Sequence, residues 1–366
     1  MRYQAALLAL LFPAALLAQE AAVPPLAKKS RAERFAARVQ KAKERQKLVG
    51  VAAAMLVDRK IASCVYLGWA DRERKLPVTA KTRFRWASIS KSVTAMRAMQ
   101  LVESGKLDLD RDIRSYLPSF PEKPHVITTR QLLGHLGGIV HYRNGKVIRS
   151  KREYKSEHPF ADVVLALDTF QLSPLIAEPG TKYSYTTHGF MLVGAVLQKA
   201  GGMPFALQVQ EQISKPLGMK SFEPDYQWKK LPHRAVGYRK LGALIVPSTN
   251  TDVSWKLPGG GYLSDLHDLA RLGQAWLRKE LLSDKSYAQM WTAQTLKSGK
   301  RTKYGLGFSV AKEKGQVGHA GAQEKTRSYL LVDPEGGFGV AIMTNSEYAK
   351  LRPLVRDLMK IAGSDE

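Results

Sequence analysis

The chain has 366 residues, of which 44% are apolar, and six tryptophans, which excludes a disordered polymer and allows one large domain or two small ones. Lys and Arg outnumber Asp and Glu by 57 to 32, a net charge of +25 that suits an anionic partner such as an envelope polymer or a lipid surface, although a surplus that only keeps the protein soluble is the more expected reading. The basic residues are scattered and no helix-turn-helix, zinc-finger or RNP pattern accompanies them, so nucleic acid is not an expected partner.

The chain opens on MRYQAALLALLFPAALLA. Arg2 supplies a positive n-region, Ala5 to Leu17 an apolar h-region, and Ala18 a small residue at a cleavage point. We expect a signal peptide over 1–18, a linker over 19–30, and a periplasmic or secreted protein. An uncleaved anchor is the alternative, against which the shortness of the apolar run argues. No later segment is long and apolar enough to span a bilayer. A single cysteine, Cys64, excludes an intramolecular disulfide and zinc–thiolate sites; in its apolar run it reads as a buried structural thiol.

Phe35, Val39 and Ala42 recur at helical spacing among many lysines and arginines, which predicts a basic amphipathic helix. Packing on a sheet is the expected use of its apolar face, and a membrane surface the alternative. GVAAAMLV and IASCVYLGWA flank the polar turn Asp58-Arg59-Lys60 and predict a hairpin. SKSVTAMRAMQLVESG reads as a helix stopped at Gly105, and Thr128 and Gln131 stand at capping-box spacing. Further amphipathic segments follow at HGFMLVGAVLQKAGG and SDLHDLARLGQAWLRK. Strand-like runs return at YGLGFSVAK, GQVGHAG, TRSYLLVD and GGFGVAIMTN, and LRPLVRDLMKIAG reads as a closing helix.

The fold class this predicts is α+β. One antiparallel sheet is assembled from both ends of the chain (48–72 and 303–345) and flanked by helices, with a mainly helical insertion over 88–300. The main unit spans 31–350, and 351–366 packs as a helix on the sheet. A site is expected where insertion meets sheet.

S-x-x-K occurs twice, at Ser88–Lys91 and Ser309–Lys312. On a helix, residues three apart share a face, so the Ser88 hydroxyl and Lys91 amine can meet. On a strand they point apart, so Ser309 and Lys312 should not converge. At a helix start the Ser88 N–H is also free to donate to an oxyanion. A lysine can deprotonate serine if desolvated or close to another cation, and Trp86, Ile89 and Val93 are apolar neighbours. The bland alternative is a helix cap beside a solvated lysine. Tyr185, in YSYTTHGF just before a helix, can relay protons, and His319 and Gly321 in GHAGA lie on a late strand. Each alone reads as a core residue; together, in this order, they favour an active site. Gly321 suits a strand over which substrate lies closely.

These blocks, with GKLDLDRDIRSYLPSFPEK, ITTRQLLGHLGGIVHY and PGGGYLSDLHDLARLG, resemble the serine β-lactamase-related family. That family includes class C β-lactamases, D-alanyl carboxypeptidases and family VIII esterases; the mitochondrial-type subgroup and its bacterial relatives are the most similar. The resemblance runs from about Arg31 to Asn345. It implies that Ser88 is acylated, that Lys91 and Tyr185 share general-base work, and that Ala322 N–H joins Ser88 N–H in an oxyanion hole. Thr187 stands where the Y-x-N motif has Asn, and His319-Ala320-Gly321 where K-T-G has Lys. A neutral histidine holds a substrate carboxylate less strongly than lysine, so peptide or ester hydrolysis is favoured over β-lactam hydrolysis. Ser90 is left as a polar neighbour or a helix-start residue.

The competing class is a non-catalytic envelope-binding or filament-forming protein on the same fold, for which an intact Ser-Lys-Tyr set is a poor match. Homo-oligomers are compatible with either. A metallohydrolase lacks H-E-x-x-H, and an α/β-hydrolase lacks G-x-S-x-G. No cofactor and no metal are expected.

Overall fold

The computed structural model describes residues 29–311 and 315–364. The expected signal peptide, most of the linker and Lys312 lie outside the described residues.

Helix α1 (Arg31–Gln46) opens on a capping box in which Ser30 and Glu33 satisfy each other's backbone N–H groups. The hairpin of β1 (Gly50–Val57) and β2 (Lys60–Asp71) follows, then the short strands β3 (Leu76–Pro77) and β4 (Phe84–Arg85). The insertion carries α2 (Ser90–Glu103), α3 (Thr129–Leu133), α4 (Thr187–Gly201) and α5 (Phe205–Val209). It continues with β5 (Glu223–Pro224), β6 (Tyr238–Leu241), β7 (Leu244–Pro247), α6 (Leu257–Gly260), β8 (Tyr262–Ser264), α7 (Leu266–Arg278) and α8 (Asp284–Trp291). The chain then returns to the sheet as β9 (Ser309–Ala311), β10 (Gln316–Gln323), β11 (Thr326–Asp333) and β12 (Phe338–Thr344), and closes with α9 (Leu351–Ala362).

The main sheet is antiparallel with the order β3-β2-β1-β12-β11-β10-β9, so β1 and β12, from opposite ends of the chain, pair at its centre. Strand β1 is apolar throughout because both its faces are covered. Val51, Ala53 and Met55 pack with α1 and α9, while Ala52, Ala54 and Leu56 join the larger core beneath the insertion. The apolar face of α1 is thus occupied by the sheet and by α9, to which the Arg38–Asp357 pair ties it at 2.6 Å. The packed helix is the reading this favours over a membrane-lying one.

Two details go beyond or against expectation. Helices dominate the regular structure of the insertion, but residues 134–186 carry only 3-10 turns, and short strands are built into it: β5 and β8, which join β4 in a three-stranded sheet, and the β6–β7 hairpin. Two-residue strands are too short to show an alternating pattern. Cys64 is half-buried rather than buried, because β2 lies next to the sheet edge.

The approach to the Ser88 turn is anchored by charge. Arg85, on β4, is 5% exposed and places Nε 2.5 Å from Asp225, which is fully buried and also lies 2.8 Å from Arg234. The Arg85 guanidinium further donates to the Thr251 carbonyl at 2.8 Å. Removing one member of such a pair strands the other without water. Asp225→Ala is expected to lower unfolding free energy by about 3 kcal/mol in urea titration. A loss below about 1 kcal/mol would show that Arg85 is hydrated instead.

Candidate active site

Ser88 sits on a 3-10 turn (Ala87–Ile89) that runs directly into α2. The turn is clamped onto the main sheet: Thr326 Oγ1 donates to the Arg85 carbonyl at 2.9 Å and Ser328 Oγ to the Trp86 carbonyl at 2.7 Å. From the other side, Trp86 Nε1 donates to Ser264 Oγ at 2.7 Å. Between these clamps Ala87 adopts a left-handed φ of 50°, unusual for a residue with a side chain and sustained only by surrounding structure.

Lys91, one helical step on, is fully buried. Its Nζ stands 3.1 Å from Ser88 Oγ, 3.4 Å from Thr187 Oγ1 and 2.6 Å from the Gly259 carbonyl. The rings of Tyr185 and Phe190 lie 5.0 Å and 5.6 Å from it. Burial pushes the amine well below its ordinary pKa, and the Lys256 cation adds to the effect. A neutral amine has two N–H donors and one lone pair. The Gly259 and Thr187 oxygens match the donors, and Ser88 O–H matches the lone pair.

Tyr185 immediately precedes the N-cap of α4, Thr186. Thr186 N–H donates to His135 Nδ1 at 3.2 Å and Thr186 Oγ1 to the Val140 carbonyl at 2.8 Å. Thr187 N–H donates to His141 Nδ1 at 3.3 Å. The His135 ring packs on Tyr185 with centroids 4.2 Å apart. Burial raises the Tyr185 phenol above its ordinary pKa, partly offset by its hydrogen bond with Ser88, so it stays protonated.

His319 lies 6.3 Å from Tyr185, ring to ring, with both ring nitrogens turned to protein partners. It is buried, its Nε2 lies 2.8 Å from Tyr304 Oη and its Nδ1 2.7 Å from the Ala320 carbonyl. A neutral ring with Nδ1–H donating and Nε2 accepting satisfies both bonds. Burial and Lys91 push its pKa down to about 3. The expected weak carboxylate contact is therefore replaced by an internal one.

Gly321 also departs from expectation. A Cβ there would overlap Ser328 Oγ and the Trp86 carbonyl, so the glycine lets β10 close on the Ser88 turn from within the protein rather than making room for substrate. Neighbouring Ala322 is exposed. Strand β9 covers β10 only as far as Gly318, and β11 pairs with β10 up to the Gln323–Thr326 closing pair. Alternation from that two-residue turn aims the backbone groups of Ala320 and Ala322 at the open edge. That is the direction an oxyanion donor requires.

The structure brings Ser88, Lys91, Tyr185 and Thr187 together, with Ala322 on the facing strand. Ser90 is fully buried, and its Oγ has no partner among the described residues. Ser309 lies on β9, as its strand-like run implied. Sequence reasoning passed over His135, His141, Tyr304, Lys256 and the Gly259 carbonyl. One signal was present: two glycines in LPGG place bare backbone in α6, and a Cβ at Gly259 would lie 2.7 Å from Thr187 Cγ2.

The Beta-lactamase family model matches residues 35–364. The serine beta-lactamase-like protein LACTB, mitochondrial, of Homo sapiens is 27% identical, over 78% of this chain and 69% of its own. Among solved structures, the octameric penicillin-binding protein homologue from Pyrococcus abyssi superposes with a TM-score of 0.75 at 23% identity, covering 91% of this chain and 77% of that one. EstCE1, described as a hydrolase with promiscuous acyltransferase activity, also gives 0.75 at 22% identity, covering 90% and 98%. These two likenesses show the fold, an α+β arrangement of antiparallel sheet and flanking helices. With nearly the whole described chain inside the family model, the protein belongs to the beta-lactamase family.

Proposed function

We propose that the protein is an exported serine hydrolase that cleaves ester or peptide bonds through an acyl-enzyme on Ser88. The observation that carries this reading is the fully buried Lys91 amine 3.1 Å from Ser88 Oγ. EstCE1, a hydrolase on the same fold, supports the reaction class. Export rests on the residue pattern of 1–18 alone.

In this mechanism the Lys91 lone pair takes the Ser88 proton as Oγ bonds to the substrate carbonyl carbon. The resulting ammonium keeps the Gly259 and Thr187 oxygens as acceptors. Ser88 N–H and Ala322 N–H hold the oxyanion. As the bond to the leaving group breaks, Tyr185 gives its proton to the departing atom and is reprotonated from Lys91. Water then attacks the acyl-enzyme, losing its proton by the reverse route. The leaving group thus lies on the Tyr185 side of Ser88, beside Tyr304 and His319.

β-Lactam turnover is expected to be weak. With both His319 nitrogens engaged internally, no side chain at the K-T-G position is free for the β-lactam carboxylate.

Wild type should gain one adduct with a fluorophosphonate probe, read by intact mass, and Ser88→Ala none; an adduct retained in the variant sinks the assignment. Lys91→Arg, which cannot shed its proton, should lower kcat/KM for a nitrophenyl ester by about 10³-fold. The working form of Lys91 is neutral, so kcat/KM should fall as pH drops through its depressed pKa. That limb should lie well below 10.5, the ordinary lysine value. A limb near 10.5 would instead mean a solvated lysine. Nitrocefin should be hydrolysed about 10²-fold less efficiently than the ester, the loss expected for an unmatched substrate charge.

A further inference from the structure

The open edge of β10 gives the cleft two different ends. At one end lie His319, Tyr304 and Tyr185, all uncharged at neutral pH. Four residues along the strand, roughly 13 Å away, lies Gln323. A Cβ on Gly260 of α6 would stand 3.3 Å from Gln323 Oε1 and 3.6 Å from the Ala87 carbonyl carbon, so this second end also borders the Ser88 turn. Lys256, which caps α6 four residues earlier, supplies a cation there.

Lys256 is held in an unusual state. Its side chain is only 11% exposed, and its ion partner Glu324, 49% exposed, stands at 3.8 Å, beyond hydrogen-bonding distance. The aliphatic stem is covered, and the Nζ lies 5.7 Å from the Trp255 ring. Gln323 Nε2 is buried and has no hydrogen-bond partner among the described residues. A shielded ammonium with a loose partner and an orphaned amide donor thus flank one stretch of the substrate edge. Both are donors, and together they match an oxyanion ligand.

We propose that Lys256 and Gln323 form a subsite for a carboxylate carried on the acyl portion of the substrate. This rests on the hydrolase reading, because the side of the cleft follows from where the leaving group is protonated. Tyr185 marks the leaving-group end, so the acyl portion extends the other way, along β10 towards Gln323. The incoming carboxylate takes the place of Glu324, which swings into solvent from a half-exposed position. In this chain the anion-binding end is therefore the acyl end, and the position occupied by His319 carries no charge.

Two 4-nitrophenyl esters of equal length separate the idea from its rivals: the pentanoate, ending in methyl, and the hydrogen glutarate, ending in carboxylate. The readout is nitrophenolate release by the full chain. The glutarate should be favoured about tenfold in kcat/KM, through KM, the size of one charge-assisted hydrogen bond. Lys256→Met should erase that ratio and Lys256→Arg should keep it. Gln323→Leu should reduce it and serves as the second variant if Lys256→Met does not fold. Fluorophosphonate labelling of Ser88 in each protein reports an assembled site. A labelled wild type that releases both esters equally, or neither, overturns the subsite and leaves the hydrolase reading standing. Equal loss on both esters in Lys256→Met also overturns it, since the lysine would then act only through Lys91. An unlabelled wild type removes the hydrolase reading and the subsite with it.

Discussion

An amine kept from water governs this structure. An ammonium moved into a low-dielectric interior loses several kcal/mol of hydration, so a buried lysine is neutral unless its surroundings replace that water. Around Lys91 three oxygens are supplied, each from a different part of the chain: Ser88 from the 3-10 turn, Thr187 from the first turn of α4, and Gly259 from α6. These acceptors are too few and too neutral to hold a permanent charge against burial. The strained Ala87, the clamps on Trp86 and the glycines at 259 and 321 all serve to hold these three oxygens at one point.

The imidazoles around the cleft fit the same logic. His141 and His188 are pushed down to about 4, and His319 to about 3, chiefly by burial. His135 moves the same way, with Lys91 contributing. None brings charge to the site at neutral pH. Their ring nitrogens act as fixed hydrogen-bonding partners instead: His135 and His141 accept from consecutive backbone N–H groups beside Tyr185, and His319 is locked to Tyr304. Charge is thereby concentrated in Lys256 and its surroundings, which gives a cleft with a neutral aromatic end and a charged end.

Much of the fold could be read directly. The hairpin of β1 and β2, the capping box at Thr128 and the stop at Gly105 are local patterns, and each is where its residues predicted. The S-x-x-K at Ser88 could be separated from that at Ser309 by helix against strand geometry, because spacing alone decides whether residues three apart share a face. The small sheets within the insertion were not legible, since strands of two to four residues carry no period. Nor was the role of His319: a histidine in a strand reads the same whether its ring faces substrate or Tyr304, fifteen positions earlier.

By itself the sequence determined the long helices and the main strands, a sheet built from both ends of the chain, and the nucleophile candidate with its lysine three residues on. Those are consequences of short-range spacing, which a chain carries wherever it folds. The tertiary structure alone decided that Lys91 is buried, that Gly259 and Thr187 meet it, that Gly321 is an inward contact, and that Lys256 stands at the start of α6 beside Glu324. Each of these depends on residues many tens of positions apart meeting in space. Burial and the direction of a side chain are properties of that meeting, and no local pattern encodes them.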